Sequence, residues 1–270
     1  MAARPDDPAI VTRKLTRRFG SVLAVDGLDL EIARGTVFGL LGSNGAGKST
    51  TLKMLTTLLP ATSGDARVAG FDVARQPREV RRSIGYVPQL LSADASLTGS
   101  ENLLLSAKLY GVPRSERRGR IEQALAFMDL SEVAGALVST YSGGMIRRLE
   151  IAQALLHEPE VIFLDEPTVG LDPVARQAVW DRIEDLCGRT GTTALVSTHD
   201  MEEAELLCQV VALMHRGHLV ALGTPTSLEA ELGPGATMAD VFAHHTGGTV
   251  EHGGDYRDVA RTRRTARRLS

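Results

Sequence analysis

The chain has 270 residues, of which 43% are hydrophobic and 23% charged, and its formal net charge is −3. These values are typical of a globular protein, and the slightly acidic balance argues against nucleic acid as the main partner, because domains that neutralise phosphates are usually strongly basic. The longest apolar runs are far shorter than the roughly twenty residues of a membrane-spanning helix, and the N-terminus lacks the apolar core of a signal peptide. We therefore expect a cytoplasmic protein that reaches a membrane only through a partner.

The N-terminal part of the chain predicts strands followed by a helix. Residues 10–15 and 22–32 alternate between apolar and polar side chains, which predicts two strands with a turn at Phe19–Gly20. The run VFGLL at 37–41 is continuously apolar, as in a buried central strand, and a helix is expected from about residue 48 to 58. Between this strand and this helix, the sequence GSNGAGKST matches the pattern G-x-x-x-x-G-K-[ST] from Gly42 to Ser49.

The segment 42–49, here called the phosphate loop, has the composition of a phosphate-binding site. Its glycines let the backbone curl so that several N–H groups point at phosphate oxygens, and the helix that follows adds the positive end of its dipole. Lys48 supplies a charge for the β- and γ-phosphates of a nucleotide, and the Ser49 hydroxyl is a ligand for Mg²⁺. A glycine turn before a helix can arise by chance, but its position between a buried strand and a helix favours the phosphate site.

The middle of the chain changes from strand patterns to helical ones. Apolar residues recur at helical spacing from 100 to about 130, and we predict that 90–157 forms a helical subdomain inserted into an α/β core. Near its end, Ser142, Gly143 and Gly144 precede a helix that runs to about residue 157. Ser142 can cap that helix while the glycines leave its first N–H groups unobstructed, which makes a second anion-binding terminus. Taken alone, the same residues also describe an ordinary capped helix.

An acidic pair follows the next buried strand. In VIFLDEP at 161–167, four apolar residues place Asp165 at the carboxyl end of a strand, where open α/β sheets bind ligands. Asp165 is predicted to hold Mg²⁺ through water, and Glu166 to orient or deprotonate the attacking water. The alternative is a solvated acidic turn. Together with the phosphate loop, the pair predicts hydrolysis of a nucleoside triphosphate.

The remaining patterns complete an α/β arrangement. Strands are predicted at 161–164, 193–197, 210–214 and 218–222, with a helix at 173–187, and this alternation implies a mostly parallel sheet covered by helices. A small C-terminal extension, about 224–245, carries two short predicted helices. Residues 246–270 are predicted to be a disordered basic tail, either solvated or in contact with anionic lipid. Its arginines are Arg257, Arg261, Arg263, Arg264, Arg267 and Arg268.

The stretch YSGGMIRRLEIAQALLHEPEVIFLDEP at 141–167 resembles the ATP-binding subunits of ABC transporters, with Ser142, Gly143 and Gly144 as the core of their signature motif. The resemblance covers roughly residues 8–245. It implies an α/β fold with a P-loop NTPase core and a mostly parallel sheet, an N-terminal antiparallel β subdomain and the inserted helical subdomain. The sequences YSGGM with the arginines after it, LTGSENL at 97–103 and MADVFAHHTG at 238–247 look like the daunorubicin/doxorubicin-resistance branch of exporters.

The same resemblance implies roles for individual residues. Gln89 in GYVPQ matches the glutamine loop, which senses Mg²⁺ or water and faces the membrane partner. His199 in VSTHDMEEAE matches the switch histidine that contacts the γ-phosphate, and Asp172 in GLDP matches the loop that crosses the dimer interface. Phe19 in RRFG lies at the position of an aromatic residue that stacks on adenine, with a core or turn phenylalanine as the competing interpretation.

The complete set of predicted site residues follows from these matches. The catalytic residues are Glu166 and His199, and the metal ligands are Ser49, Gln89 and, through water, Asp165. The ATP contacts are Phe19, Gly42, Ser43, Asn44, Gly45, Ala46, Gly47, Lys48, Ser49, Thr50 and Gln89, with Ser142, Gly143 and Gly144 supplied by the opposite subunit. Ser43 and Val169 depart from the residues usual in the family. The paired basic residues, Met145 and the MEEAE run at 201–205 are assigned to helix surface.

The resemblance implies a function and its partners. Two identical chains would enclose two molecules of ATP with Mg²⁺, bind a polytopic membrane permease at the cytoplasmic face of the cell membrane, and power export of a drug, an antibiotic or another amphipathic molecule. No nucleic acid is expected as a partner. The alternatives are a soluble ABC ATPase in translation or DNA repair, an importer motor, and a nucleotide-binding regulator without turnover. The last requires loss of Glu166 or His199, and both are present.

Overall fold

The computed structural model describes residues 7–247. The strands in this range are β1 (Ile10–Phe19), β2 (Val22–Ile32), β3 (Val37–Leu41), β4 (Ser63–Val68), β5 (Phe71–Asp72), β6 (Ile84–Val87), β7 (Val161–Asp165), β8 (Thr193–Thr198), β9 (Val210–His215) and β10 (His218–Gly223). The α-helices are α1 (Lys48–Leu55), α2 (Pro77–Ser83), α3 (Gly99–Leu109), α4 (Arg117–Phe127), α5 (Gly143–Leu155), α6 (Pro173–Thr190), α7 (Met201–Leu207), α8 (Pro225–Leu232) and α9 (Met238–Thr246). None of the helices described between residues 7 and 247 is both long enough and apolar enough to cross a bilayer.

The strands form two sheets, and the predicted fold class is confirmed. One sheet is antiparallel, with the order β2-β1-β4-β5. The other has the order β10-β9-β3-β8-β7-β6, and all its neighbours are parallel except β9 and β10. Strands β3, β7 and β8 are buried along their whole length, which explains their unbroken apolar runs, because helices cover both faces of a parallel sheet.

The register of the parallel strands decides where functional side chains meet. On β8, Ser197 lies opposite Asp165 at the end of β7, and Thr198 lies opposite Leu41 at the end of β3. The carboxyl ends of three neighbouring strands therefore lie side by side. The phosphate loop leaves one of them, the acidic pair leaves the second, and the segment to His199 leaves the third.

Helices α3, α4 and α5 lie between β6 and β7 in the chain and pack on one another. The first turn of α3 is held by a capping box in which the Thr98 hydroxyl and the Glu101 carboxylate each bond the other residue's backbone N–H. Buried apolar residues such as Leu103, Leu125 and Leu149 form a core that continues onto one face of the large sheet. The limits proposed for a separate helical subdomain, 90 and 157, stay a prediction.

Some elements differ from the sequence-based expectation. The helical pattern over 100–130 is two helices, because the chain turns between α3 and α4, and α1 ends at Leu55 rather than near 58. Strands β4 to β6 were given no predicted bounds, and helix α2 was not predicted. Most of β4 is exposed, so it has no apolar run to reveal it. Cys187 and Cys208 are buried with free thiols, as expected of cysteines that fill apolar space.

The basic tail with Arg257 to Arg268 lies outside the described residues. The first two residues assigned to it are ordered instead, because Thr246 is the last residue of α9 and Gly247 caps that helix in the left-handed conformation.

A glycine on β6 allows α5 to approach the sheet closely. A Cβ on Gly85 would lie 2.5 Å from the carbonyl oxygen of Ala154. We expect Gly85→Ala to lower the free energy of unfolding by about 1–3 kcal/mol, because the backbone of α5 must move away from the sheet. The control is Gly119→Ala on α4, where a Cβ meets no atom within 4 Å, and where alanine stabilises a helix by up to about 1 kcal/mol. Chemical denaturation measures both, and equal stabilities of the two variants would contradict the prediction.

Candidate active site

The phosphate loop has a backbone that only glycine tolerates at several positions. Gly45 and Gly47 have φ angles of 82° and 107°, in the left-handed region that side chains disfavour. A Cβ on Gly47 would lie 2.5 Å from the carbonyl oxygen of Ala24, and a Cβ on Gly42 would lie 2.5 Å from that of Met214. The loop is therefore packed against β2 and β9, which holds its shape.

Lys48 begins α1, and its side chain turns back into the phosphate loop. The ammonium group donates to the carbonyl oxygens of Gly42 at 2.8 Å and of Ser43 at 3.2 Å, and it lies 3.3 Å from Oε1 of Glu166. The side chain is only 4% exposed. The structure thus places one buried positive charge at the centre of the loop, where the anion of a nucleotide would need it.

Asp165 connects the phosphate loop to β8. Its Oδ1 accepts hydrogen bonds from the Ser49 hydroxyl at 3.0 Å and from the Ser197 hydroxyl at 2.5 Å. Burial, and after it the negative charge of Asp165, raises the pKa of the neighbouring Tyr86 to about 12, so that this phenol stays neutral. Ser197 was not predicted as a site residue, because a serine within a buried strand carries no signal of its own in the sequence.

Three side chains of the site contact the carboxylate of Glu166. Its Oε1 lies 3.3 Å from Nζ of Lys48 and 3.3 Å from Nδ1 of His199. Its Oε2 accepts a hydrogen bond from the Gln89 side chain at 3.1 Å. The backbone of Glu166 has a φ of 49°, a strained value for a residue with a Cβ and one that occurs preferentially at functional sites. Sequence analysis assigned all four of these residues to one site, and the structure brings them together.

The side chains at this edge have the chemistry that a nucleotide and a hard divalent cation require. The hydroxyl of Ser49, the carboxylate of Asp165 and the amide of Gln89 supply oxygen atoms, which are the ligands that Mg²⁺ prefers. Gly42, Gly45 and Gly47 have no side chains that could stand between backbone N–H groups and a phosphate. The residues present therefore fit both groups.

The signature residues lie at a different helix terminus. Ser142 is exposed and caps α5 by accepting from the N–H of Met145 at 3.3 Å. A Cβ on Gly144 would lie 2.8 Å from Cβ of Ala175, so this terminus packs closely against the first turn of α6. Within residues 7–247, no hydrogen bond joins residues 142–144 to the phosphate loop.

Two further predicted residues have local structural partners. Asp172 caps α6 by accepting from the N–H groups of Val174 and Ala175, each at 3.0 Å. Phe19 ends β1 and is 45% exposed, with the guanidinium carbon of Arg17 lying 4.4 Å from the centre of its ring. The Phe19 ring is therefore accessible for stacking, and Asp172 has a capping role that is independent of any second chain.

A buried ion pair on α5 holds the glutamine loop, residues 88–93. Arg147 donates to the carbonyl oxygens of Pro88 at 2.7 Å and of Gln89 at 2.9 Å, and it lies 3.1 Å from Glu150. Glu150 in turn accepts from the Ser92 hydroxyl at 3.0 Å and from the Ser92 N–H. The assignment of paired basic residues to helix surface is therefore wrong for Arg147. Its helical spacing from buried Gly144, Ile151 and Ala154 was the signal that could have shown this.

The MEEAE run at 201–205 is only partly surface, since Glu203 on α7 is buried. Its Oε1 accepts from the Thr168 hydroxyl at 2.7 Å and from the indole N–H of Trp180 at 2.8 Å. Burial raises the pKa of this carboxyl above its ordinary value, against the opposing effect of the hydrogen bonds that it accepts. Met145, also assigned to surface, is half-buried and packs against the core.

Comparisons with known proteins agree with this geometry. Residues 25–169 match the family model described as ABC transporter. The daunorubicin resistance ATP-binding protein DrrA3 of Streptomyces coeruleorubidus is 44% identical over 227 residues, which cover 84% of this chain and 72% of that protein. The solved structure of cbiO1 from Clostridium perfringens, part of the ABC transporter complex cbiONQ, has a TM-score of 0.78 at 28% identity and covers 84% of this chain and 92% of its own.

A second similar structure was solved with the products of ATP hydrolysis bound. It is a dimeric post-hydrolysis state of the ATP-binding cassette MJ0796 with ADP and Pi bound, and it matches with a TM-score of 0.71 at 25% identity. The match covers 80% of this chain and 98% of that one.

The ion pair on α5 predicts an asymmetric effect on stability. Glu150→Ala leaves the guanidinium of Arg147 buried without its carboxylate, and we expect the free energy of unfolding to fall by about 3–5 kcal/mol. Glu122→Ala is the control, because it breaks an exposed pair with Arg118 on α4, and such pairs contribute less than about 1 kcal/mol. Urea denaturation of both variants checks the difference, and a similar small loss in the two would show that the buried pair contributes little.

Proposed function

Because this chain belongs to the ABC transporter family, as an ATP-binding subunit with ATPase activity, we propose that it powers export of a drug or another amphipathic molecule through a separate membrane permease. The relative named for daunorubicin resistance supports the class of cargo. The observation that carries the proposal is the convergence of Lys48, Gln89 and His199 on the carboxylate of Glu166.

The residues of the site have distinct tasks in ATP hydrolysis. The backbone of the phosphate loop and the ammonium of Lys48 bind the β- and γ-phosphates. Ser49 and Gln89, with Asp165 through water, would hold Mg²⁺, which would neutralise charge on the phosphates. Glu166 orients the attacking water and accepts its proton, and His199 contacts the γ-phosphate. Phe19 stacks on adenine.

We further propose that the working unit is a homodimer with ATP bound between the chains. Ser142 and the glycines after it form an exposed helix terminus suited to an anion, and they have no hydrogen bond to the phosphate loop of their own chain. The ATP-binding cassette MJ0796 was solved as a dimer with ADP and Pi, which supports the same arrangement. Each signature segment would then contact the γ-phosphate held by the partner chain, with Asp172 in the loop between them.

The permease is expected to bind beside the glutamine loop, at the cytoplasmic face of the membrane. Leu90 is 82% exposed there, and Leu91, Leu105 and Leu109 are also exposed on this loop and on α3. Exposed apolar side chains that form one patch mark protein-binding surfaces, and we propose that these leucines contribute to such a patch. Gln89 lies in the same loop and bonds Glu166, so a movement of the loop reaches the site of hydrolysis directly.

The role of Glu166 can be tested by removing its charge while its shape is kept. We expect Glu166→Gln to lower kcat for ATP about 100-fold or more, because a general base contributes on that order, and to accumulate as an ATP-bound dimer. Phosphate release and size-exclusion chromatography with ATP measure the two effects. Glu158→Gln, whose side chain is 75% exposed, is the control. A Glu166→Gln protein that stays monomeric in ATP and hydrolyses it at the normal rate would refute the proposal.

The role of Ser142 requires a control for the loss of a helix cap. Ser142→Ala and Thr224→Ala each remove a capping hydroxyl, from α5 and α8, and each should cost about 1 kcal/mol of stability. Only Ser142→Ala should also lower kcat/KM for ATP, by about 10- to 100-fold, because a hydrogen bond to a charged group is lost. Steady-state hydrolysis measures this, together with ATP-driven dimerisation by light scattering. Equal activities of the two variants would exclude the trans contact.

A further inference from the structure

Glu203 on α7 is not one of the residues that contact Glu166, but it lies next to the segments that carry the site residues. Its side chain is 1% exposed. Oε1 accepts from the Thr168 hydroxyl at 2.7 Å and from Nε1 of Trp180 at 2.8 Å. A single buried carboxylate on α7 thus joins the loop after β7 to α6.

Two of the segments that meet at Glu203 lie next to the predicted catalytic residues. Thr168 follows Glu166 by two positions, and α7, which carries Glu203, begins two positions after His199. Nδ1 of His199 lies 3.3 Å from Oε1 of Glu166, so a small displacement of either segment would change this contact. The hydrogen bond from Thr168 to Glu203 connects the two segments beyond the ends of β7 and β8.

Helix α6 fixes the position of Glu203 itself. Trp180 is almost fully buried, and one turn earlier on α6 the guanidinium of Arg176 donates to Asp200 at 2.6 Å. Asp200 caps α7 by accepting from the N–H groups of Glu202 and Glu203. The first turn of α7, which directly follows His199, is therefore held against α6 at two points.

We propose that Glu203 is a positioning residue for ATP hydrolysis, which holds Glu166 and His199 at their observed distance through its hydrogen bonds to Thr168 and Trp180. A buried carboxylate is not favoured for stability alone, because apolar residues of similar volume are often at least as stabilising in such a place. What the carboxylate adds is a set of directional bonds. The inference rests on the proposed roles of Glu166 and His199.

The test compares two substitutions of the same residue. Glu203→Ala removes both bonds, and we expect kcat to fall about 10- to 100-fold, the size expected when catalytic groups are misplaced by an ångström or less. The affinity for ATP should stay unchanged, because neither contact is with the phosphate loop. Glu203→Gln retains an oxygen that can accept from Thr168 and Trp180, so it should restore most of kcat.

Trp180 supplies a second variant and a spectroscopic readout. Trp180→Phe keeps an aromatic ring but removes the indole N–H, so kcat should fall without a loss of ATP affinity. In the double variant with Glu203→Ala the losses should not add, because both changes break the same bond. Trp180 is the single tryptophan of the chain, so its fluorescence shows in each other variant whether the indole stays buried. Glu202→Ala, on the same helix and half-exposed, is the matched control.

The outcomes separate a positioning role from a structural one. Loss of kcat in Glu203→Ala and in Trp180→Phe, with unchanged ATP affinity and with rescue of kcat by Glu203→Gln, supports the proposal. Normal hydrolysis by a folded Glu203→Ala protein overturns it, and so does a joint loss of kcat, ATP affinity and stability in Trp180→Phe. The proposed export function is tested by a separate result. It is refuted if the wild-type chain hydrolyses ATP but its expression with the permease does not lower the amount of drug in cells.

Discussion

A buried ion pair between Lys48 and Glu166 joins the two loops that build the site. The charges lie 3.3 Å apart, and both side chains are at most 5% exposed. Two charges can be buried in this way only if backbone and side-chain partners are held in fixed positions around them, and the parallel sheet supplies those positions. The loops after β3 and β7 flank the end of β8, so each charge comes from one rigid strand end, and Gln89 and His199 approach the same carboxylate from two further segments.

A series of contacts connects the Lys48–Glu166 pair to the surface that is proposed to bind the permease. Glu166 bonds Gln89, and the loop that carries Gln89 is held by Arg147 and Glu150 on α5. Helix α5 begins at Ser142, the terminus proposed to contact ATP in the partner chain. The exposed Leu90 lies in the held loop as well. Contacts therefore link α5, the glutamine loop and the carboxylate of Glu166, the predicted catalytic residue.

Glu150 and Glu203 have the same structural role in two different parts of the site. Each is a buried carboxylate on a helix, and each accepts hydrogen bonds from a loop that carries a predicted catalytic or metal-binding residue. In the glutamine loop, Leu90 and Leu91 are exposed and so do not anchor the loop by packing. A buried carboxylate can orient such loops through several directional bonds at once, which explains why acidic residues occupy positions that apolar residues would fill in an ordinary helix.

The sequence by itself determined the phosphate loop, the acidic pair after β7 and the parallel strands, because each is a contiguous pattern whose chemistry depends on near neighbours. It also determined the fold class and family, since those patterns occur in a fixed order. Only the tertiary structure decided that Arg147, Glu150 and Glu203 are buried and that Ser197 contacts Asp165. The partners of these residues are distant in the chain, as with Ser92 and Glu150 at a separation of 58 residues and Thr168 and Glu203 at 35. An acidic or basic residue on a helix is ordinarily assigned to solvent, and its burial depends on which loop the fold brings against it.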